Sequence, residues 1–114
     1  MAIEITTTRQ IDPEIIKRNV NVIDENGEYF PTDRYGVIDK NTRKVVIPVE
    51  YNYIQICDGY GFIARKDAYY YAFNSKGVMF VADVLGIESI GRHGVLVFED
   101  AMRTKSVLVH WLIT

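Results

Sequence analysis

The run YGVIDKNTRKVVIPVEYNYIQICDGYGFIARKD, residues 35–67, decides the fold class. Short stretches rich in Val, Ile, Tyr and Phe alternate in it with clusters of Asp, Asn, Lys and Gly. Branched and aromatic side chains suit a pleated, half-buried strand. Gly and Asn tolerate the positive φ of tight hairpin turns. Asp39-Lys40-Asn41 and Asp58-Gly59 are two such turns, so the run reads as strands joined by hairpins.

The same grammar extends in both directions. Glu25-Asn26-Gly27, Lys66-Asp67, Asn74-Ser75-Lys76-Gly77, Gly91-Arg92-His93-Gly94 and residues 99–104 are further turns. Between the turns the sequence predicts strands over residues 3–7, 20–24, 35–39, 44–47, 51–57, 60–65, 69–74, 78–81, 87–90, 95–98 and 106–113. Residues 84–98 admit a helical turn through Val84, Leu85, Ile87 and Ile90, but Gly86 and Gly91 make strand the better reading. One short helix is expected over residues 12–19, where Asp12 caps, Pro13 takes the first helical position and Glu14 faces the helix N-terminus. No long helical pattern alternates with the strands, which argues against a parallel βαβ fold. The expectation is a single all-β domain, an antiparallel meander of short hairpins curling into a barrel or a two-layer sheet, with one short N-terminal helix.

An internal repeat underlies the meander. Gly61-Phe62-Ile63-Ala64-Arg65-Lys66-Asp67 aligns with Gly94-Val95-Leu96-Val97-Phe98-Glu99-Asp100, an offset of 33 residues (94 − 61). Tyr35-Gly36-Val37-Ile38-Asp39 aligns with Tyr70-Tyr71-Ala72-Phe73-Asn74, an offset of 35 (70 − 35). Each unit is a strand, a Lys-containing turn, an apolar strand, a link, and a Gly-led strand that hairpins into the next copy.

These residues resemble the WG-repeat family of bacterial β-rich repeats. Its pattern stands here as Tyr35-Gly36-Val37-Ile38-Asp39-Lys40, then Lys44-Val45-Val46-Ile47-Pro48 with Tyr51, then the strand led by Gly61. The match is good over residues 34–77 and looser to residue 98. Tyr35 replaces the usual Trp, Tyr70-Tyr71 replaces the second aromatic-Gly pair, and Pro48 has no second copy. Residues 22–27 look like a truncated first half-unit, so residues 1–33 hold an N-terminal strand, the short helix and a partial repeat, and residues 34–114 the repeat units. The resemblance implies a scaffold without shared catalytic residues, in which Tyr35, Ile38, Ile47, Tyr51, Phe62, Tyr70 and Phe73 are core or half-buried. Pro48, with no N–H to donate, fits an edge.

Composition bounds the function. The 114 residues carry a formal net charge of −2, with 48% hydrophobic and 25% charged residues. These are globular proportions, which exclude collagen-like, disordered and strongly basic nucleic-acid-binding classes. Cys57 is the only cysteine, so no internal disulfide is possible. No signal peptide opens the sequence, and its most apolar window, residues 77–87, is too short to span a bilayer and contains Asp83. A cytoplasmic address is expected.

No catalytic, cofactor or metal constellation is expected. His93 and His110 are the only histidines, one in a Gly-flanked turn and one in an apolar strand beside Trp111, and no ligand spacing surrounds them. Cys57 has no basic neighbour to lower its pKa and reads as a buried or half-buried thiol. Asp24-Glu25-Asn26-Gly27-Glu28 lacks the ligand spacing of a calcium loop, and an Asn-Gly hairpin explains it. Glu99 and Asp100, adjacent in sequence, point to opposite faces of a strand. Gly59-Tyr60-Gly61 lacks the third Gly and following helix of a phosphate loop.

Binding is the remaining class. Among the eight tyrosines, Tyr69-Tyr70-Tyr71 stand out: if Tyr70 fills the repeat's core slot, Tyr69 and Tyr71 lie on the outer face, with Tyr53 and Tyr60 nearby. Tyrosine gives interfaces large contact area at low entropy cost. Equally open is an arrangement in which both faces are covered and all three pack internally. The expected function is a non-enzymatic protein-binding module of a bacterial or phage-infected cytoplasm. It would be a small inhibitor or immunity-type protein acting by steric occupancy of a protein partner. A self-associating structural repeat and a single-stranded nucleic-acid binder, using Lys17-Arg18, Arg43-Lys44 and Arg65-Lys66, are the alternatives. The negative net charge weighs against the last.

Overall fold

The computed structural model describes residues 11–111, and among these the only helical feature is a 3₁₀ turn at Gly91–His93. Ten strands carry the rest: β1 (Pro13–Ile23), β2 (Tyr29–Asp39), β3 (Val45–Tyr51), β4 (Tyr53–Cys57), β5 (Gly61–Lys66), β6 (Tyr69–Asn74), β7 (Met79–Val84), β8 (Gly86–Ser89), β9 (Val95–Phe98) and β10 (Ser106–Val109). They form three antiparallel sheets, ordered β1-β2-β3, β4-β5-β6-β7 and β10-β9-β8. The all-β hairpin meander expected from the sequence is present. Among the described residues the sheets stay open and no barrel closes. The strand expected at residues 3–7 lies outside the described residues.

The repeat explains why three sheets form. Strands β2 to β5 make one unit and β6 to β9 the next, and each unit divides between two sheets at a single residue. Asn52 separates β3 from β4, and Leu85 separates β7 from β8. The switch is built the same way twice: Asn52 N–H donates to Arg65 O at 2.8 Å, and Leu85 N–H to Phe98 O at 3.1 Å. The central sheet therefore joins the end of one unit to the start of the next.

Its two faces are both covered. Ile54, Phe62, Ala64 and Phe73 pack against Val37, Ile47 and Tyr51 of the first sheet. Cys57, Ile63 and Ala72 pack against Ile87, Val95 and Val97 of the third, with Trp111. Successive strand side chains point to opposite faces, so Phe62 and Ile63 serve different cores. Rings meet edge-on inside them, Tyr51 with Phe73 at 5.8 Å and Phe80 with Trp111 at 5.7 Å between centroids. Tyr35, Ile38, Ile47, Tyr51, Phe62, Tyr70 and Phe73 are all buried or half-buried. Pro48 sits on β3, an edge strand, beside a register shift in its pairing with β2.

Residues 12–19 are not helical. They begin β1, which pairs with β2 through eleven consecutive partners from Pro13↔Asp39 to Ile23↔Tyr29. A two-turn helix is marginal in water. The long ladder, with Ile16, Val20 and Val22 half-buried on one face, outweighs the local capping signal. Pro13, at the first residue of the strand, costs the ladder little.

Three turns share one device. Asp24 Oδ1 accepts from the N–H groups of Asn26 and Glu28, both at 2.9 Å, and Asn74 Oδ1 accepts from those of Lys76 and Val78, both at 2.9 Å. Gly27 (φ 77°) and Gly77 (φ 83°) close the two loops. Asp39 repeats the arrangement one residue longer, accepting from Asn41 N–H at 3.0 Å, with Arg43 (φ 64°) in place of the glycine. The amide is used where the turn is buried, since Asn74 is 1% exposed, and a carboxylate there would be desolvated.

Candidate interaction surface

The pairing of β2 brings two strongly exposed large apolar side chains together. Strand β3 joins β2 only between Tyr35 and Ile38. Residues 18–34 therefore continue past the first sheet as a two-stranded arm, and among the described residues no other strand pairs with them. An isolated two-stranded ribbon is marginal, and this one is tied by its turn at Asp24 and by Asn19 Nδ2–H donating to Asp33 Oδ1 at 3.2 Å.

Residues opposite one another in the arm share a face. One face, continuous with the Tyr35 and Val37 face that packs on the central sheet, carries Asn19/Asp33, Asn21/Pro31 and, at the tip, Ile23/Tyr29. Ile23 is 60% and Tyr29 71% exposed. The other face carries Arg18/Arg34, Val20/Thr32 and Val22/Phe30, with Phe30 45% exposed. Solvated carboxylates of Glu25 and Glu28 flank the tip.

The four tyrosines singled out in the sequence do not make one surface. Tyr69 and Tyr71 share the face of the central sheet that meets the first sheet, because Tyr71 stands opposite Ala64 and Tyr69 opposite Lys66. Tyr71 packs edge-on to Tyr51 at 5.7 Å and donates its hydroxyl to Asp83 Oδ1 at 2.9 Å, a bond that raises its pKa. Tyr69 is exposed. Tyr53, also exposed, lies on the opposite face in a row with Arg65 and Tyr70. Tyr60 sits at the far end of the sheet, in the turn between β4 and β5, stacked on Trp111 at 6.4 Å. Neighbouring sheets thus cover most of both faces of the central sheet, half-burying Tyr70 and Tyr71, while Tyr69 and Tyr53 stay exposed on opposite faces at one end of it.

Several of the polar side chains considered for chemistry have structural roles. His110 Nδ1–H donates to His93 O at 2.9 Å and Trp111 Nε1–H to Gly91 O at 2.7 Å, so both fasten the chain after β10 to the 3₁₀ turn. Cys57 is buried, and burial pushes its thiol pKa up, away from the nucleophilic thiolate. The Asp100 carboxylate holds the turn before β10 through the Thr104 hydroxyl and N–H, bonds that keep its pKa below the usual carboxylate value. Tyr51 is pushed up to about 12, first by burial and then by the Glu50 carboxylate. Among the described residues no three His, Cys, Asp or Glu side chains converge on a point, and no helix is long and apolar enough to cross a membrane.

The arm escaped sequence reasoning because Pro31, Asp33 and Arg34 obscure the strand over 29–34. The signal was the Asn26-Gly27 turn: folding the sequence back about it sets Ile23 beside Tyr29 and Val22 beside Phe30. Comparison with protein-family models, with curated proteins and with solved structures returned no match.

Proposed function

We propose that the chain is a non-enzymatic protein-binding module, a degenerate WG-type scaffold whose arm occupies a site on a partner protein. It suits a small inhibitor or immunity-type protein of a bacterial or phage-infected cytoplasm. One observation carries the reading: Ile23 and Tyr29 stand side by side at the end of the arm, 60% and 71% exposed. A large aliphatic and an aromatic side chain left in water at a protruding tip form an anchor that gains by burial in a partner's pocket. The rigid three-sheet body gives that anchor a fixed base, which lowers the entropy lost on binding.

The test is capture from the source cell's lysate at physiological salt, with the parent chain and the Ile23→Ser/Tyr29→Ser double variant as baits. One protein retained by the parent at near-equal amount and lost by the variant is the expected result. Equal retention by both refutes the arm as the binding element. Tyr69→Ala in the same experiment separates the arm from the exposed tyrosine of the central sheet.

A further inference from the structure

The arm's second face is self-complementary. From base to tip its tiers run Arg18/Arg34, Val20/Thr32, Val22/Phe30 and Asp24/Glu28, four successive same-face positions of one hairpin. The base is cationic, the middle apolar and the tip anionic. A two-fold axis between the Val20/Thr32 and Val22/Phe30 tiers sets each arginine tier on a carboxylate tier and each apolar tier on the other.

We infer that this face docks on the same face of a second copy, the two arms lying antiparallel with Arg34 and Arg18 of each chain against Glu28 and Asp24 of the other. Three features of the single chain support it. Arg34 is half-buried and its Nη1, covered by its own chain, finds no hydrogen-bond acceptor there, so no carboxylate of the same chain engages that nitrogen and the rest of the guanidinium is left for an external one. Arg18 and Arg34 stand directly opposite each other, a like-charge pairing that destabilises a ribbon unless anions neutralise it. Glu28 is exposed and forms no ion pair among the described residues. Asp24 has already committed Oδ1 to its turn, so Glu28 is the principal acceptor.

The docked face is small. Seven residues of strand at ~3.3 Å each make the face about 20 Å long, and two strands ~4.8 Å apart make it about 10 Å wide. Each copy therefore offers on the order of 200 Å², and the pair falls well below the ~1,200 Å² of a specific stable interface. The dimer is therefore reversible. Ile23 and Tyr29 point away from it, so pairing leaves the tip anchor free, and the inference stands whether or not the partner reading does.

Sedimentation equilibrium of the full chain over a wide concentration range is the test. The mass should rise from the 13.1 kDa single chain toward twice that value, and added salt should reverse the rise. Arg34→Glu and Glu28→Arg should each weaken association at least about tenfold by setting like charges together, and the double variant should restore it by exchanging the signs. Ile23→Ser/Tyr29→Ser should leave the dimer unchanged. Circular dichroism of each variant checks that it is folded. A chain that stays monomeric at the highest concentration assigns the face to a different protein and overturns the inference. So does a dimer indifferent to both charge reversals, or one that the double variant fails to restore.

Discussion

Replacing Asn74 by Asp changes one atom of a buried turn and should cost the protein several kcal/mol at neutral pH. Asn74 is 1% exposed, its Oδ1 accepts two N–H donors, and its Nδ2 has no acceptor. In the Asn74→Asp chain the two backbone donors would stabilise one carboxylate oxygen, while the second would take the buried place where Nδ2 has no hydrogen-bond partner. A fully buried carboxylate can have its pKa raised by up to ~3–5 units, and the two hydrogen bonds offset part of that. About 2 units remain, equivalent to about 3 kcal/mol at ~1.36 kcal/mol per unit. The sign follows from the raised folded pKa. Below the unfolded value near ~3.9 the introduced carboxyl is neutral in both states and the variant is close to the parent. Stability is then lost as pH rises, and the loss levels off above the folded pKa, about 6. Urea denaturation of parent and variant at several pH values between these limits reads the difference directly. Asp24→Asn is the control, because Asp24 makes the same two bonds in a less buried turn and should change stability by under about 1 kcal/mol. A variant within about 0.5 kcal/mol of the parent at pH 7, or a loss that does not shrink toward acid pH, would refute the argument that burial selects the amide.

Two further outcomes follow from the same turns and cores. Gly77→Ala should destabilise by about 2–4 kcal/mol, since φ is 83° and a Cβ would lie 2.5 Å from Val46 O; Gly27→Ala, with a φ of 77° and nothing within 4 Å, should cost only about 1 kcal/mol, and paired thermal melts measure the gap. In an alkaline absorbance titration of the folded protein, Tyr51 should ionise at about 12, a component that Tyr51→Phe should remove. Because unfolded tyrosine ionises near ~10, Tyr51 favours the folded state below that pH and loses this contribution as pH rises toward about 12.

Much of the fold was legible because its rules are local. Asn-Gly and Asp-Gly turns, branched runs between them, and the offsets linking Gly61 to Gly94 and Tyr35 to Tyr70 all lie in short windows of sequence. The repeated bonds at Asn52 and Leu85 show why the meander becomes three sheets. No residue type marks those positions, so the choice between barrel and open sheets depended on geometry outside the pattern. Residues 12–19 were misleading for the opposite reason. Asp12, Pro13 and Glu14 form a good helix start, but eleven pairings with β2 override a cap worth about 1 kcal/mol. The tyrosine triplet had the same limitation: alternation separates Tyr70 from Tyr69 and Tyr71, but only sheet stacking decides that Tyr71 packs on Tyr51 while Tyr69 stays exposed.

The arm over residues 18–34 underlies both interaction proposals, and its pairing is open to a direct measurement. Nuclear Overhauser contacts in the folded chain should join strand protons of Arg18 to Arg34, Val20 to Thr32 and Val22 to Phe30, with extended-strand shifts through residues 13–23. Helix-type contacts between residues three apart over 12–19, with no cross-strand contact beyond Tyr35, would contradict the account.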